Sequence, residues 1–218
     1  MKLVFATGNK GKLREAADIL GAGVEILSPA DLGIEGEAEE TGSTFAENSL
    51  LKAQYVFDRL PDGAADAVFA DDSGLEVDAL GGEPGIYTAR YAGEDKNFSD
   101  NMDKLLSRLR EAGAWTPSER TARFRCVVTL IFPDGRRVVS DGSLEGRIAS
   151  GKAGCGGFGY DPVFIPTDAE LGSLLNDGYS PAEVNTLRGK TLAEIPETAK
   201  NQISHRYKAL MGIVDALK

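Results

Sequence analysis

The residues best placed to do chemistry lie in Val68-Phe69-Ala70-Asp71-Asp72-Ser73-Gly74-Leu75. A short apolar run, read as the buried end of a strand, gives way to two adjacent carboxylates, a hydroxyl and a glycine. Neighbouring carboxylates repel, so stability alone does not ask for them; a divalent cation, or a proton to be abstracted, would. At the C-terminal edge of a strand, Asp71 and Asp72 would stand where open α/β sheets bind ligands. Asp-Ser-Gly is also turn chemistry, and this stretch alone leaves both readings open.

Three other groups could act with it. Thr7-Gly8-Asn9-Lys10-Gly11-Lys12 follows an apolar run and precedes a helical pattern. Glycines there free backbone N–H groups, and the helix start adds partial positive charge, which together make a phosphate cradle. The GxxxxGK[ST] pattern of a Walker loop is absent, and a plain turn with solvated lysines has the same composition. Gly151 to Gly159 holds five glycines, which let a backbone lie close to a flat ligand, and Phe158 or Tyr160 could stack on a ring. Near the C-terminus, Lys200, Ser204, the single histidine His205, and Arg206 gather at a helix entrance and resemble an anion or carbonyl site.

The elements that must position these groups read as follows. Leu3–Ala6 is a buried strand, and Leu13, Ala16, Ala17 and Leu20 mark one face of the helix after it. Val24–Ser28 is a second strand, followed by an acidic loop with Glu35, Glu37, Glu39 and Glu40, most of it solvated charge. Thr44-Phe45-Ala46-Glu47 is a capping box opening a helix that runs to about Leu60, with Asn48 and Lys52 on one face. Met102, Leu105, Leu106 and Leu109 mark a third helix. Thr121–Phe132 and Arg137–Ser140 form a hairpin about Pro133-Asp134-Gly135, and Leu144–Ile148 makes a further strand. Pro166–Gly189 is polar and loop-rich, with a capping-box start at Ser180; Thr191–Glu194 starts a short helix, and Tyr207 to Leu217 carries the last. Helices between mixed strands predict an α/β fold rather than a purely parallel array.

The whole-chain quantities agree. At 218 residues, 42% of them hydrophobic, the chain affords a real core. A net charge of −10 argues against bulk nucleic acid or anionic membrane as partner, though not against a small polyanion held by local lysines and a metal. Cys126 and Cys155 form no CxxC pair; Cys126 reads as a buried small hydrophobe. With no signal-peptide pattern and no apolar run of membrane-spanning length, a cytoplasmic protein is expected.

These parts suit a metal-bound nucleoside triphosphate, and in that combination the chain resembles the inosine/xanthosine triphosphate pyrophosphatase family. The resemblance is carried by Ala6–Lys12, Glu39–Asn48 with Lys52-Ala53, Ala70–Leu75, Pro84–Tyr91, Gly156–Pro162 and Ile203–Arg206, in the family's order and across nearly the whole chain. The stretch from about Asp168 to Arg188 is longer than the usual connection. The resemblance implies one domain over residues 1–218, an elongated mixed β-sheet flanked by helices, and two lobes with the active-site cleft between them. It implies a Mg²⁺-dependent homodimer that hydrolyses deaminated purine nucleoside triphosphates (ITP, dITP, XTP) to monophosphate and pyrophosphate. Residue by residue, it implies that Thr7, Gly8, Asn9, Lys10, Gly11 and Lys12 bind substrate, with Lys12 and Lys52 on the phosphates. Glu40 and Asp72 would serve the metal, Asp72 would accept the proton of the attacking water, and Ser73 would contact substrate. Phe158, Gly159, Tyr160, Asp161, Lys200, His205 and Arg206 would hold the base and nearby groups. Without that resemblance the residues also fit a phosphatase with Asp71 or Asp72 as nucleophile, or a nucleotide sensor that returns its ligand intact. A thiol enzyme built on Cys155 and His205 has no local pattern to support it.

Overall fold

The computed structural model describes residues 1–217. Six strands form one sheet in the order β2-β1-β3-β4-β5-β6. They are β1 (Lys2–Phe5), β2 (Glu25–Leu27), β3 (Ala67–Val77), β4 (Thr121–Ile131), β5 (Arg137–Ile148) and β6 (Phe164–Pro166). The sheet is mixed: β1 pairs in parallel with β2 and β3, while β5 and β6 are antiparallel. Parallel neighbours need a crossover, which α1 (Lys10–Leu20) supplies between β1 and β2, and α2 (Phe45–Phe57) lies on the path to β3. The remaining helices are α3 (Phe98–Glu111), α4 (Asp168–Ser173), α5 (Pro181–Leu187), α6 (Glu197–Ile203) and α7 (His205–Val214), with short 3₁₀ turns between.

The chain divides into two compact units. The first comprises Met1–Ser73, Cys126–Gly142 and the chain from Arg206 on. Its apolar contacts separate by the parity of β3. Ala67 and Phe69 pack with Ala16 of α1 and with Ala209, Leu210 and Ile213 of α7. Val68 and Ala70 pack instead with Ala53 and Val56 of α2. That is the alternation a strand buried on both faces must show. The second unit, Gly74–Arg125 with Ser143–His205, has its own core, built on Leu75, Leu105, Leu109, Leu144, Phe164 and Ile203.

Several sequence expectations change here. β3 does not stop at Ala70: it continues through Asp71, Asp72, Ser73 and Gly74 to Val77, so the acidic pair is mid-strand rather than at a strand edge. Arg137–Ser140 and Leu144–Ile148 are one strand, whose alternating burial carries through Asp141-Gly142-Ser143 without a break. Thr44 does cap α2, accepting from the Glu47 N–H, but the Glu47 carboxylate reaches one residue further back than expected, to the Ser43 N–H at 2.6 Å. The segment after Pro166 is not mainly loop; α4 and α5 dock through buried Leu171, Val184 and Leu187. Thr191–Glu194 opens no helix, because the Glu194 carboxylate closes it into a turn by accepting the Thr191 N–H at 2.9 Å.

Candidate active site

Because Asp71 and Asp72 are consecutive on β3, their side chains leave opposite faces. This sorts the basic groups between them. Asp71 continues the face that packs on α1 and α7, and those helices supply Lys12, whose Nζ is 2.8 Å from Asp71 Oδ1, and Arg206, whose Nε is 3.0 Å from Oδ2. The Arg206 guanidinium also pairs with Glu15 of α1 and approaches the Ser73 hydroxyl at 3.5 Å. The Cys126 thiol lies 3.9 Å from Asp71 Oδ2. Burial pushes the Asp71 carboxyl up, but Lys12 and Arg206 outweigh it and hold the group well below the usual carboxylate range. The same cluster keeps Arg206 charged despite complete burial. Burial, with Asp71 beside it, pushes the Cys126 thiol up, so it is an inert packing group. Asp71 is thus a fixed charge, unable to take a proton near neutrality.

Asp72 lies on the other face. Its Oδ1 accepts from Lys52 Nζ at 2.6 Å and its Oδ2 from Asn48 Nδ2 at 3.4 Å, both donors standing one turn apart on α2. Lys52 also donates to Glu40 Oε1 at 3.1 Å. Burial raises the Asp72 carboxyl, Lys52 draws it back, Glu40 raises it again, and the net is above the ordinary value. Burial opposes the charge on Lys52, but Asp72 and Asp71 more than restore it. A carboxylate with a raised pKa and an unused lone pair has the character of a general base.

The Lys52 ammonium already bridges Glu40 and Asp72, so this pocket of oxygen donors accommodates positive charge. Among the described residues no group of three or more His, Cys, Asp or Glu side chains is placed to hold a metal ion. Two carboxylates are nevertheless the donor set Mg²⁺ takes when substrate phosphates and water complete its shell.

In the Thr7–Lys12 loop, Asn9 caps α1 and accepts from the Gly11 N–H at 2.8 Å and the Lys12 N–H at 3.2 Å. Those two amides are therefore already engaged, which leaves the exposed Gly8 and Lys10 as the open part of the loop.

The second unit carries a separate group. Asp161 Oδ2 accepts from the Phe158 N–H at 2.7 Å and from Lys200 Nζ at 2.6 Å. Lys200 Nζ also sits 4.3 Å from the centre of the Phe158 ring. Gly157 allows this closure: its φ is +70°, and a Cβ there would fall 2.0 Å from Asp161 Oδ2. Of the two candidate stacking rings, Phe158 is 52% exposed, whereas Tyr160 is 1% exposed, edge-on to Phe98 and donating its hydroxyl to the Thr88 carbonyl at 2.9 Å. The Tyr160 ring is therefore core and Phe158 is the presented face. His205 stacks on Phe124 with ring centres 5.0 Å apart. Arg206, expected with the base-holding residues, makes its hydrogen bonds in the Asp71 cluster instead.

Two participants went unassigned in the sequence. Glu15 gave no signal beyond an ordinary helix carboxylate. Asn48 did give one, its i, i+4 spacing from Lys52.

The fold is that of an α/β protein whose first unit carries a lysine–carboxylate cluster on β3 and whose second unit carries a glycine–aromatic loop. The chain belongs to the Ham1 family, whose model matches residues 3–216. It is 46% identical over 210 residues to a dITP/XTP pyrophosphatase of Geobacillus kaustophilus, covering 96% of this chain and 90% of that one. It is 43% identical over 222 residues to the dITP/XTP pyrophosphatase of Escherichia coli K12, covering 100% and 98%. The Ham1 protein of Staphylococcus aureus superposes with a TM-score of 0.77 at 38% identity, covering 100% of this chain and 98% of that one.

Proposed function

We propose that the protein hydrolyses deaminated purine nucleoside triphosphates (dITP, ITP and XTP) to the monophosphate and pyrophosphate. The observation that carries this is Asp72, a buried carboxylate with a raised pKa gripped by Lys52 and Asn48, in a chain of the Ham1 family. Water attacks the α-phosphorus, Asp72 takes its proton, and the bond to the bridging oxygen breaks to release pyrophosphate. Lys12, Lys52 and the open part of the Thr7–Lys12 loop offset the phosphate charge, and Ser73 contacts the substrate. Glu40 and Asp72 would hold Mg²⁺, which when bound supplies further charge neutralisation at the phosphates. The protein acts in this reading as a cytoplasmic homodimer on free nucleotides.

The base is assigned to Phe158, Gly159 and Asp161 with Lys200 and His205. Hypoxanthine and xanthine carry a 6-oxo acceptor where adenine carries a 6-amino donor. A site presenting N–H groups there accepts the first and leaves the second unpaired, a discrimination of about 10⁴ in favourable cases. The test is product analysis on dITP, XTP, GTP and ATP, with and without Mg²⁺. Pyrophosphate from dITP and XTP, little turnover of ATP, and loss on Mg²⁺ removal are expected. Orthophosphate as product, or equal rates on all four, contradicts the reading.

A further inference from the structure

We infer that Asn48 is a positioning residue: its single carboxamide fixes both the Asp72 carboxylate and the backbone of the loop that carries Glu40. The inference rests on the reading of Asp72 as the base. Asn48 is 2% exposed, inside α2. Neither fact is explained by folding alone: asparagine is a poor helix-interior residue, and a buried amide is costly unless bonded. Both ends are bonded. Nδ2 donates to Asp72 Oδ2 at 3.4 Å, and Oδ1 accepts the Gly42 N–H at 2.9 Å. The Gly42 donor also dictates the orientation of the amide, since turning it over would set its oxygen against the carboxylate.

The consequence for Asp72 is geometric. Lys52 holds one oxygen and Asn48 the other, from the same face of one helix. A carboxylate has about four lone-pair sites, so a bond on each oxygen fixes the plane of the group and leaves sites for the water proton. The consequence for the loop is equally direct. A Cβ on Gly42 would lie 2.6 Å from Asn48 Oδ1 and 2.7 Å from Glu47 Cβ, so the loop backbone rests against the start of α2, two residues from Glu40. Asn48 thereby sets the spacing of the two carboxylates that Lys52 bridges.

The test is a double-mutant cycle on dITP hydrolysis with wild type, Asn48→Ala, Asp72→Asn and the double variant, each with its unfolding midpoint. Asn48→Ala is expected to lower kcat by about 10–100-fold, the scale of one lost hydrogen bond to a charged group, with KM within about 3-fold. In the Asp72→Asn background the same change is expected to lower kcat by much less than in the wild type, because one of the two groups it acts through is gone. Asn48→Asp keeps an acceptor for Gly42 but sets a like charge against Asp72; it is expected to be at least as slow as Asn48→Ala, and it serves as the test if the alanine variant does not fold. Wild-type kcat in either variant, or a full multiplicative loss on top of Asp72→Asn, overturns the inference. Near-normal turnover in Asp72→Asn alone overturns the base assignment itself, so the two failures are distinguishable.

Discussion

At the scale of single residues, one step along β3 separates two carboxylates of different chemistry. Asp71 meets Lys12 and Arg206 and stays ionised; Asp72 meets a single lysine, an amide and Glu40, and its proton affinity rises. Opposite effects of the same substitution chemistry follow. Asp72→Asn is expected to cut turnover by about 10²–10⁴-fold, the contribution of one general base, while the protein keeps its fold and binds nucleotide. Asp71→Asn leaves the buried Arg206 and the half-buried Lys12 with their charge poorly matched, and is expected to cost about 3–5 kcal/mol of stability. That cost depends on pH in a definite sense. The Asp71 carboxyl is depressed in the folded state, so its stabilisation is present above its unfolded value and is lost as pH falls through the lower folded value. The gap in unfolding free energy between wild type and Asp71→Asn should therefore be full at neutral pH and shrink below about pH 4. Denaturant titrations across that range would measure it, and a gap that widened in acid would contradict the assignment.

At the scale of elements, the central departure from the sequence reading is the length of β3. Asp, Ser and Gly are poor strand residues and good turn residues, so Asp71-Asp72-Ser73-Gly74 reads as the place where the strand ends, with a turn as the alternative. Two faces of tertiary contact override that preference, because α1 and α7 neutralise one carboxylate and α2 engages the other. No local pattern encodes that, since the partners lie 59, 135 and 20 residues away. What was legible was the set of contributors: Lys12, Lys52 and Arg206 were each singled out, and each does reach the acidic pair. Tyr160 was legible as important but not as core, because composition cannot tell a ring that packs from a ring that presents. The glycine loop gives a prediction of its own. At Gly157 a side chain is strained by φ and collides with Asp161, the anchor of Phe158 and Lys200. Gly157→Ala is expected to raise the KM for dITP by about 5–150-fold, the equivalent of the ~1–3 kcal/mol such strain costs. Unchanged KM in a folded Gly157→Ala protein would remove the loop from substrate binding.

At the scale of the whole molecule, a net charge of −10 looks ill-suited to a triphosphate ligand, yet the lysines that matter are the ones held against β3. Charge balance over the chain argued against bulk nucleic acid and anionic membranes but did not choose among small ligands; membership of the Ham1 family, whose curated relatives are dITP/XTP pyrophosphatases, points to a nucleoside triphosphate. The central claim is that a water activated by Asp72 attacks the α-phosphorus of a deaminated purine triphosphate. The most direct measurement is mass analysis of the products of dITP hydrolysis in ¹⁸O-labelled water, by wild type and by Asp72→Asn. The label is expected in the monophosphate alone, at a rate that falls by about 10²–10⁴-fold in the variant. Label in the pyrophosphate, or an Asp72→Asn rate close to wild type, would contradict it.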